Sequence, residues 1–308
     1  MVIKMIKKKT RAMYRKIRWY AFGLSCKLLD LFGRSKFMQQ MVISSWYLFQ
    51  EVFLSKLARM AYVSFDPNED IFERVNIETC SWCNLKCNFC PFSRYKREKR
   101  IMPWDIYAKI IDELSDINYS GTIAFHIINE PFLDNMLFER LEYARKRCPE
   151  AFLLLDTNGT LLTEEKLKKA LKYLDKIVID DYHGILIKKI KKWKLSKEEM
   201  EKISFVPYKK FYPHKINSKL GDVKIPSIAK RRLPLKQFCE DPFVRMAINY
   251  DGKVLLCCED FRGRAVIGDV RTQNLMDIWR SEKLNNIRRR LLNFDRNFFP
   301  CNICNVGV

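Results

Sequence analysis

The chain predicts an α/β protein built on a parallel sheet wound by strand–helix units, and three observations carry that expectation. From residue 72 onward, short apolar runs alternate with helical stretches. Runs such as Ala151–Asp156 and Lys176–Asp180 are apolar almost throughout, the pattern of parallel strands covered on both faces. Clusters of Cys, Asn, Asp and Thr follow directly after those runs, where wound sheets and barrels keep their chemistry.

Residues 1–70 form a first segment. Lys4, Lys7, Lys8, Lys9, Arg11, Arg15, Lys16 and Arg18 crowd its start, with no acid before Asp30. Two apolar stretches follow. Trp19–Gly33 is broken by Lys27 and Asp30, and Met41–Phe65 by Gln50, Glu51, Lys56 and Arg59. Neither makes a spanning helix or a cleavable leader. Both read as amphipathic helices packed on the main body. Peripheral contact with an anionic membrane surface through residues 1–65, or a grip on an anionic substrate, is the alternative.

Residues 71–235 carry the wound sheet. Strands are expected at Phe72–Thr79, Gly121–Asn129, Ala151–Asp156 and Lys176–Asp180. Helices are expected at Trp104–Leu114, Asp134–Arg147 and Thr163–Tyr173, the last opened by Thr163 with Glu164 and Glu165 in its first turn. Lys188–Lys197 reads as a solvated helix face, and Asn217–Gly221, near a fifth strand, is a candidate contact to cofactor or substrate. In residues 236–308, Asp251-Gly252 between two alternating runs marks a hairpin over Phe243–Val254. A helix over Leu275–Leu292 and the pair Cys301-Asn302-Ile303-Cys304 follow.

Composition bounds the partners. With 57 Lys+Arg against 36 Asp+Glu, the net charge of +21 calls for an anionic partner. Eleven cysteines against three histidines argue for a reducing, cytoplasmic setting and soft metal ligation. Cys83, Cys87 and Cys90 follow the first strand at C-x3-C-x2-C spacing, so three sulfurs can converge on one inorganic core. Three ligands to a four-iron cube leave one iron open, as a catalytic centre needs. A zinc knuckle completed by Cys80 is the structural alternative. Cys239, Cys257 (or its neighbour Cys258), Cys301 and Cys304 make a second, closed set for zinc or a second iron–sulfur cluster. Cys26, Cys80 and Cys148 otherwise read as ordinary thiols.

Cys83-Asn84-Leu85-Lys86-Cys87-Asn88-Phe89-Cys90 resembles the signature loop of the radical S-adenosylmethionine (radical SAM) enzymes. Asn129-Glu130-Pro131 resembles their Gly-Gly-Glu-Pro, with Ile128-Asn129 in place of the glycines, and Thr157-Asn158-Gly159 resembles their Thr-Asn-Gly. The resemblance covers about residues 72–182 and implies a partial (β/α)6 barrel. It implies one [4Fe–4S] cluster on Cys83, Cys87 and Cys90. It also implies SAM contacts from Phe89, Asn129, Glu130, Pro131, Thr157, Asn158 and Asp180. Cys239, Gly252-x4-Cys257, Ile267-Gly268-Asp269-Val270, Ile278-Trp279 and Cys301-x2-Cys304 resemble the shortened Twitch form of the SPASM domain. That form implies one auxiliary [4Fe–4S] cluster on Cys239, Cys257, Cys301 and Cys304.

The implied reaction is reductive cleavage of SAM to a 5′-deoxyadenosyl radical that takes a hydrogen from substrate. Oxidation of an alcohol, sugar or aminocyclitol is the expected outcome; peptide, sugar-nucleotide or lipid modification is the alternative. The expected partners are an anionic small molecule or peptide and a flavodoxin- or ferredoxin-type reductant, with nucleic acid not expected. His126, His183, Asp180, Asp181 and Tyr182 are the candidate proton acceptors or cofactor contacts by position. The rival from another class is a zinc-stabilised nucleic-acid-binding protein.

Overall fold

A computed structural model describes residues 2–31, 35–182, 184–207, 218–224 and 230–307. His183 and Asn217, both named above, lie outside the described residues. The chain divides into two compact units.

The first unit comprises residues 1–71, 212–244 and 280–308. It holds α1 (Val2–Leu31), α2 (Lys36–Phe49), α3 (Ser55–Tyr62) and, further along the chain, α9 (Asp241–Val244) and α11 (Glu282–Leu292). A π-turn over Gln50–Leu54 links α2 to α3. Its core gathers Tyr14, Trp46, Leu54, Ala58, Tyr62, Phe238, Phe243 and Leu291. Tyr62 stacks on Phe238 with ring centroids 5.3 Å apart. Part of the basic run at the N-terminus is consumed internally. Arg11 pairs with Asp70 at 3.2 Å, Arg18 pairs with Glu240, and the Arg15 guanidinium donates to the Tyr62 hydroxyl at 2.8 Å. Among the described residues no helix is long and apolar enough to cross a membrane.

The second unit, residues 72–211 and 245–279, contains the whole sheet. Its strands are β1 (Arg74–Ile77), β2 (Thr122–Ala124), β3 (Phe152–Thr157), β4 (Lys176–Asp181), β5 (Ile203–Pro207), β6 (Arg245–Ile248), β7 (Lys253–Leu255) and β8 (Val266–Asp269). The helices of this unit are α4 (Trp104–Asp116), α5 (Leu137–Arg147), α6 (Glu164–Leu171), α7 (Leu186–Ile190), α8 (Lys197–Glu201) and α10 (Leu275–Arg280). The spatial order is β5-β4-β3-β2-β1-β6-β7-β8. β1 to β5 are mutually parallel, β6 runs parallel to β1, and β7 and β8 continue antiparallel.

Strands β1 to β5 advance steadily in one direction, so right-handed crossovers put their helices on one face, as in a barrel. That face is a solid apolar layer: Val75, Ile77, Ile123, Leu153, Leu155, Ile177 and Ile179 are all fully buried. Each such side chain contributes about 1.5–3 kcal/mol by leaving water. The opposite face differs from the expectation of strands covered on both sides. Along β4 burial alternates, with Lys176, Val178 and Asp180 half-buried between the buried Ile177, Ile179 and Asp181. The other face therefore opens on a lumen that accepts polar side chains.

Element boundaries shift where side chains cap or break. Thr163 opens α6 as expected, its Oγ1 accepting from the Lys166 N–H at 3.2 Å. The expected helix over 275–292 is two helices, because Ser281 ends α10 and caps α11 by accepting from the Leu284 N–H at 3.3 Å. Gly268 on β8 has a physical reason: a Cβ there would lie 2.6 Å from Ile278 on α10. The fifth strand lies at 203–207, ahead of Asn217–Gly221. Lys188, Lys189, Lys191, Lys192 and Lys194 are exposed as expected, but the helix face expected over 188–197 is broken, since α7 ends at Ile190 and α8 begins only at Lys197.

Candidate functional site

Three loops at the carboxyl ends of β1, β2 and β3 interlock. Cys83, Cys87 and Cys90 occupy the first, half-buried, with the Cys90 N–H bonded to the Cys87 carbonyl at 2.9 Å. The Leu85 N–H donates to the Cys83 Sγ at 3.4 Å, and the Asn158 Nδ2 donates to the same sulfur at 3.6 Å. Burial, then the charges of Cys90 and Cys83, push Cys87 up to about 11. An all-sulfur donor set on one short loop fits an iron–sulfur cluster. Phe89, just before the last cysteine, packs on Tyr182 with centroids 5.5 Å apart.

Glu130 ties the second and third loops together. Its buried carboxylate accepts from the Thr157 hydroxyl at 2.7 Å, the Asn158 N–H at 2.8 Å and the Phe132 N–H at 3.1 Å. Thr157 Oγ1 also accepts from the Gly159 N–H at 3.0 Å. Gly159 has φ of 68°, and a Cβ there would lie 2.8 Å from Leu186 and 2.9 Å from Ile179. The turn therefore requires glycine. Asn158 Nδ2 bonds the Asn84 Oδ1 at 2.9 Å, so the third loop also grips the cysteine loop.

Two groups named from the sequence gain their partners only in three dimensions. Cys80 is fully buried, and desolvation pushes its thiol up to about 12. Its Sγ lies 3.5 Å from the Asn129 Nδ2 and 3.4 Å from the Glu130 carbonyl, so it pins the Asn129-Glu130-Pro131 loop to the end of β1. His126 is held by Asp156 at both nitrogens. Its Nδ1 accepts from the Asp156 N–H at 3.3 Å, and its Nε2 lies 2.7 Å from Asp156 Oδ2. The ring is thereby held between the backbone and the side chain of Asp156, and it orients that carboxylate. Asp156 pairs with Val178 across β3 and β4, so Asp156 and Asp180 share the lumen face. Burial and then the charge of Asp156 push Asp180 up to about 6, while the Tyr182 hydroxyl donates to it at 3.2 Å. Asp181 faces the other way and caps α7 by accepting from the Ile185 and Ile187 N–H groups.

The second cysteine set is distributed over both units. In the first unit, burial pushes Cys239 up to about 11, and Cys301 is raised by burial and then by Cys239. Arg296, nearly inaccessible, donates to the carbonyls of Gln237 at 3.0 Å, Phe238 at 2.8 Å and Val306 at 2.7 Å. Its charge lowers both Cys239 and Cys301. The Val306 N–H donates to Cys304 Sγ at 3.4 Å. In the second unit, the Glu259 N–H donates to Cys257 Sγ at 3.3 Å, whereas Cys258 Sγ takes the Arg245 guanidinium at 2.7 Å.

Residues 77–180 match the radical SAM superfamily. Residues 239–305 match the SPASM iron–sulfur cluster-binding domain. The chain thus carries a radical SAM domain followed by a SPASM-type domain. The S-adenosyl-L-methionine-dependent 2-deoxy-scyllo-inosamine dehydrogenase of Niallia circulans is 27% identical over 228 residues, spanning 72% of this chain and 88% of that one. The crystal structure of BtrN in complex with AdoMet and 2-DOIA has a TM-score of 0.69 at 26% identity, covering 77% of this chain and 94% of that one. Streptococcus suis SuiB bound to precursor peptide SuiA aligns with a TM-score of 0.51 at 16% identity, over 82% of this chain and 74% of that one. That last likeness concerns the fold alone. As a radical SAM enzyme with a SPASM-type domain, the chain takes SAM and two iron–sulfur clusters as cofactors and needs an electron donor.

Proposed function

We propose that this radical SAM enzyme oxidises a ring alcohol of a cyclitol or sugar, of the aminocyclitol type, to a ketone. The observation that carries the reading is that the chain spans 88% of a dehydrogenase of that class, while itself carrying both cysteine sets. Domain by domain, residues 1–70 are a helical extension, 71–235 the radical SAM part and 236–308 the auxiliary-cluster part.

Cys83, Cys87 and Cys90 are the ligands of the SAM-binding [4Fe–4S] cluster. Cys239, Cys257, Cys301 and Cys304 are those of an auxiliary one. Cys257 is preferred over Cys258 because, like Cys83 and Cys304, it receives the amide two residues on. When bound, SAM and its cluster supply the hydrogen-abstracting radical, and the auxiliary cluster takes one electron. The chain's own residues do the rest. Phe89, Asn129, Glu130, Pro131, Thr157 and Asn158 shape the cofactor pocket through the interlocked loops. Loss of a hydrogen atom from carbon, an electron and the hydroxyl proton completes the oxidation. Asp180 at about 6, beside the His126-oriented Asp156, offers a carboxylate poised to accept that proton near neutral pH. The reductant is of flavodoxin or ferredoxin type, and the setting is cytoplasmic.

The test is anaerobic incubation of reconstituted protein with SAM, dithionite and 2-deoxy-scyllo-inosamine. A ketone formed in step with 5′-deoxyadenosine supports the reading. SAM cleavage without oxidation of this or any related cyclitol refutes it.

A further inference from the structure

Beside the signature loop the second unit holds a cavity of about 320 Å³ that none of the cysteines lines. Its walls come from Tyr95-Lys96-Arg97, the turn residues Asn249 and Tyr250, Leu255, and Phe261-Arg262-Gly263. Because β6 runs parallel to β1, Asn249 follows β6 at the same edge of the sheet as the cysteine loop following β1.

The wall chemistry is donor-rich and contains no carboxylate. Arg97 is the rigid floor: it pairs with the buried Glu78 at 2.7 Å and donates to the Phe261 carbonyl, and its guanidinium stacks 3.9 Å from the Phe261 ring centroid. Glu78 thereby neutralises Arg97. Lys96 has no ion-pair or hydrogen-bond partner among the described residues. The Arg262 guanidinium lies over the Tyr95 ring at 5.2 Å, which holds its fork in place. Asn249 is 8% exposed; its Oδ1 accepts from the Asp251 and Lys253 N–H groups at 3.1 and 2.9 Å. That leaves its Nδ2, a pure donor, unpartnered among the described residues in a side chain more than nine-tenths buried. Of the acids close by in sequence, Glu98 lies 4.0 Å from Arg100, Asp251 pairs with Arg100 at 2.9 Å, and Asp260 lies 3.7 Å from Arg264.

We propose that this cavity binds the phosphate ester of a small molecule, with Lys96, Arg262 and Asn249 as its donors. An ammonium, a guanidinium fork and an amide donor around one space suit a tetrahedral oxyanion with several acceptor oxygens. Its volume limits the occupant to a small molecule. Taken with the proposed dehydrogenation, on which this last step rests, the phosphate is the remote anionic handle of the substrate.

The experiment is calorimetric titration of reconstituted protein, without SAM or reductant, with inorganic phosphate and, at matched ionic strength, with acetate. Omitting SAM and reductant separates the outcome from that of the dehydrogenation test. The expected result is saturable one-to-one phosphate binding, weakened at least about tenfold in Lys96→Ala/Arg262→Ala and in Asn249→Ala, with acetate binding far more weakly. Iron content and the thermal midpoint report that each variant is folded; Lys96 and Arg262 are exposed, so their double variant keeps the test open if Asn249→Ala unfolds. No phosphate binding by the native chain, unchanged affinity in the folded variants, or equal affinity for acetate overturns the proposal.

Discussion

The Asn158 amide donates to the Glu130 carboxylate at 2.8 Å, joining residues 28 apart in sequence across the ends of β2 and β3. With Thr157 and Phe132 also donating to it, Glu130 acts as the bolt of the site. Its position on the cofactor side of the fold and its structural load are one arrangement, since the three loops that would surround SAM are held in register by it.

Replacing Glu130 by Gln tests that bolt. An amide group must turn its NH2 toward at least one of three donors, leaving a buried N–H or O–H unsatisfied. A loss of about 1–3 kcal/mol in urea unfolding is expected, together with reduced 5′-deoxyadenosine formation. Unaltered stability would show that the carboxylate carries no load.

The cysteines sort into classes that iron analysis separates. Alanine at Cys83, Cys87 or Cys90 is expected to remove about four irons per chain and abolish SAM cleavage. Alanine at Cys301 or Cys304 is expected to remove about four irons while sparing slow, uncoupled cleavage. Cys80→Ala is expected to lower the unfolding midpoint and leave the iron count intact, because this thiol is buried against Asn129 and Glu130.

Asp180 sets a pH dependence. Its folded value of about 6 lies above the ordinary carboxylate range, raised by burial and then Asp156, so the folded chain holds this proton more tightly than the unfolded one. Ionisation therefore costs stability as pH rises from about 4 to about 6, and the cost is constant above that. Asp180→Asn removes it. Its urea midpoint, measured without SAM, should exceed that of the native chain at pH 7.5, with the gap closing toward pH 4. A gap independent of pH would contradict this account.

Two glycines predict opposite signs. Gly268→Ala drives a methyl to 2.6 Å from Ile278 and is expected to cost about 1–3 kcal/mol. Gly23→Ala, inside α1 with nothing within 4 Å, is expected to stabilise by up to about 1 kcal/mol. Thermal unfolding of the two variants distinguishes packing from helix propensity.

Much of the site was legible in the chain itself, for a local reason. Cys83, Cys87 and Cys90 sit within eight residues, so spacing alone decides that their sulfurs can meet. Gly159 and Gly252 announce their turns because positive φ, 68° and 79°, favours glycine wherever the chain runs. The N-terminal stretch reads as packed amphipathic helices, with an anionic surface as the alternative, but its composition does not say which cations are consumed internally; Arg11, Arg15 and Arg18 spend charge on Asp70, Tyr62 and Glu240. The partners of that run lie as far as 222 residues along the chain, beyond the reach of any pattern in its own composition.

The amino-acid sequence by itself determined the strand–helix alternation, the cysteine spacing and the turns, since each depends on neighbours a few residues apart. Only the tertiary structure decided that the sheet keeps one face apolar and opens the other on a lumen where Asp156 and Asp180 meet. It also decided that β6 joins β1, that Cys80 pins a loop, and that Lys96, Asn249 and Arg262 converge on one cavity. Those outcomes turn on strand register and crossover direction, which bring together groups far apart in the chain, and no local pattern of side chains encodes them.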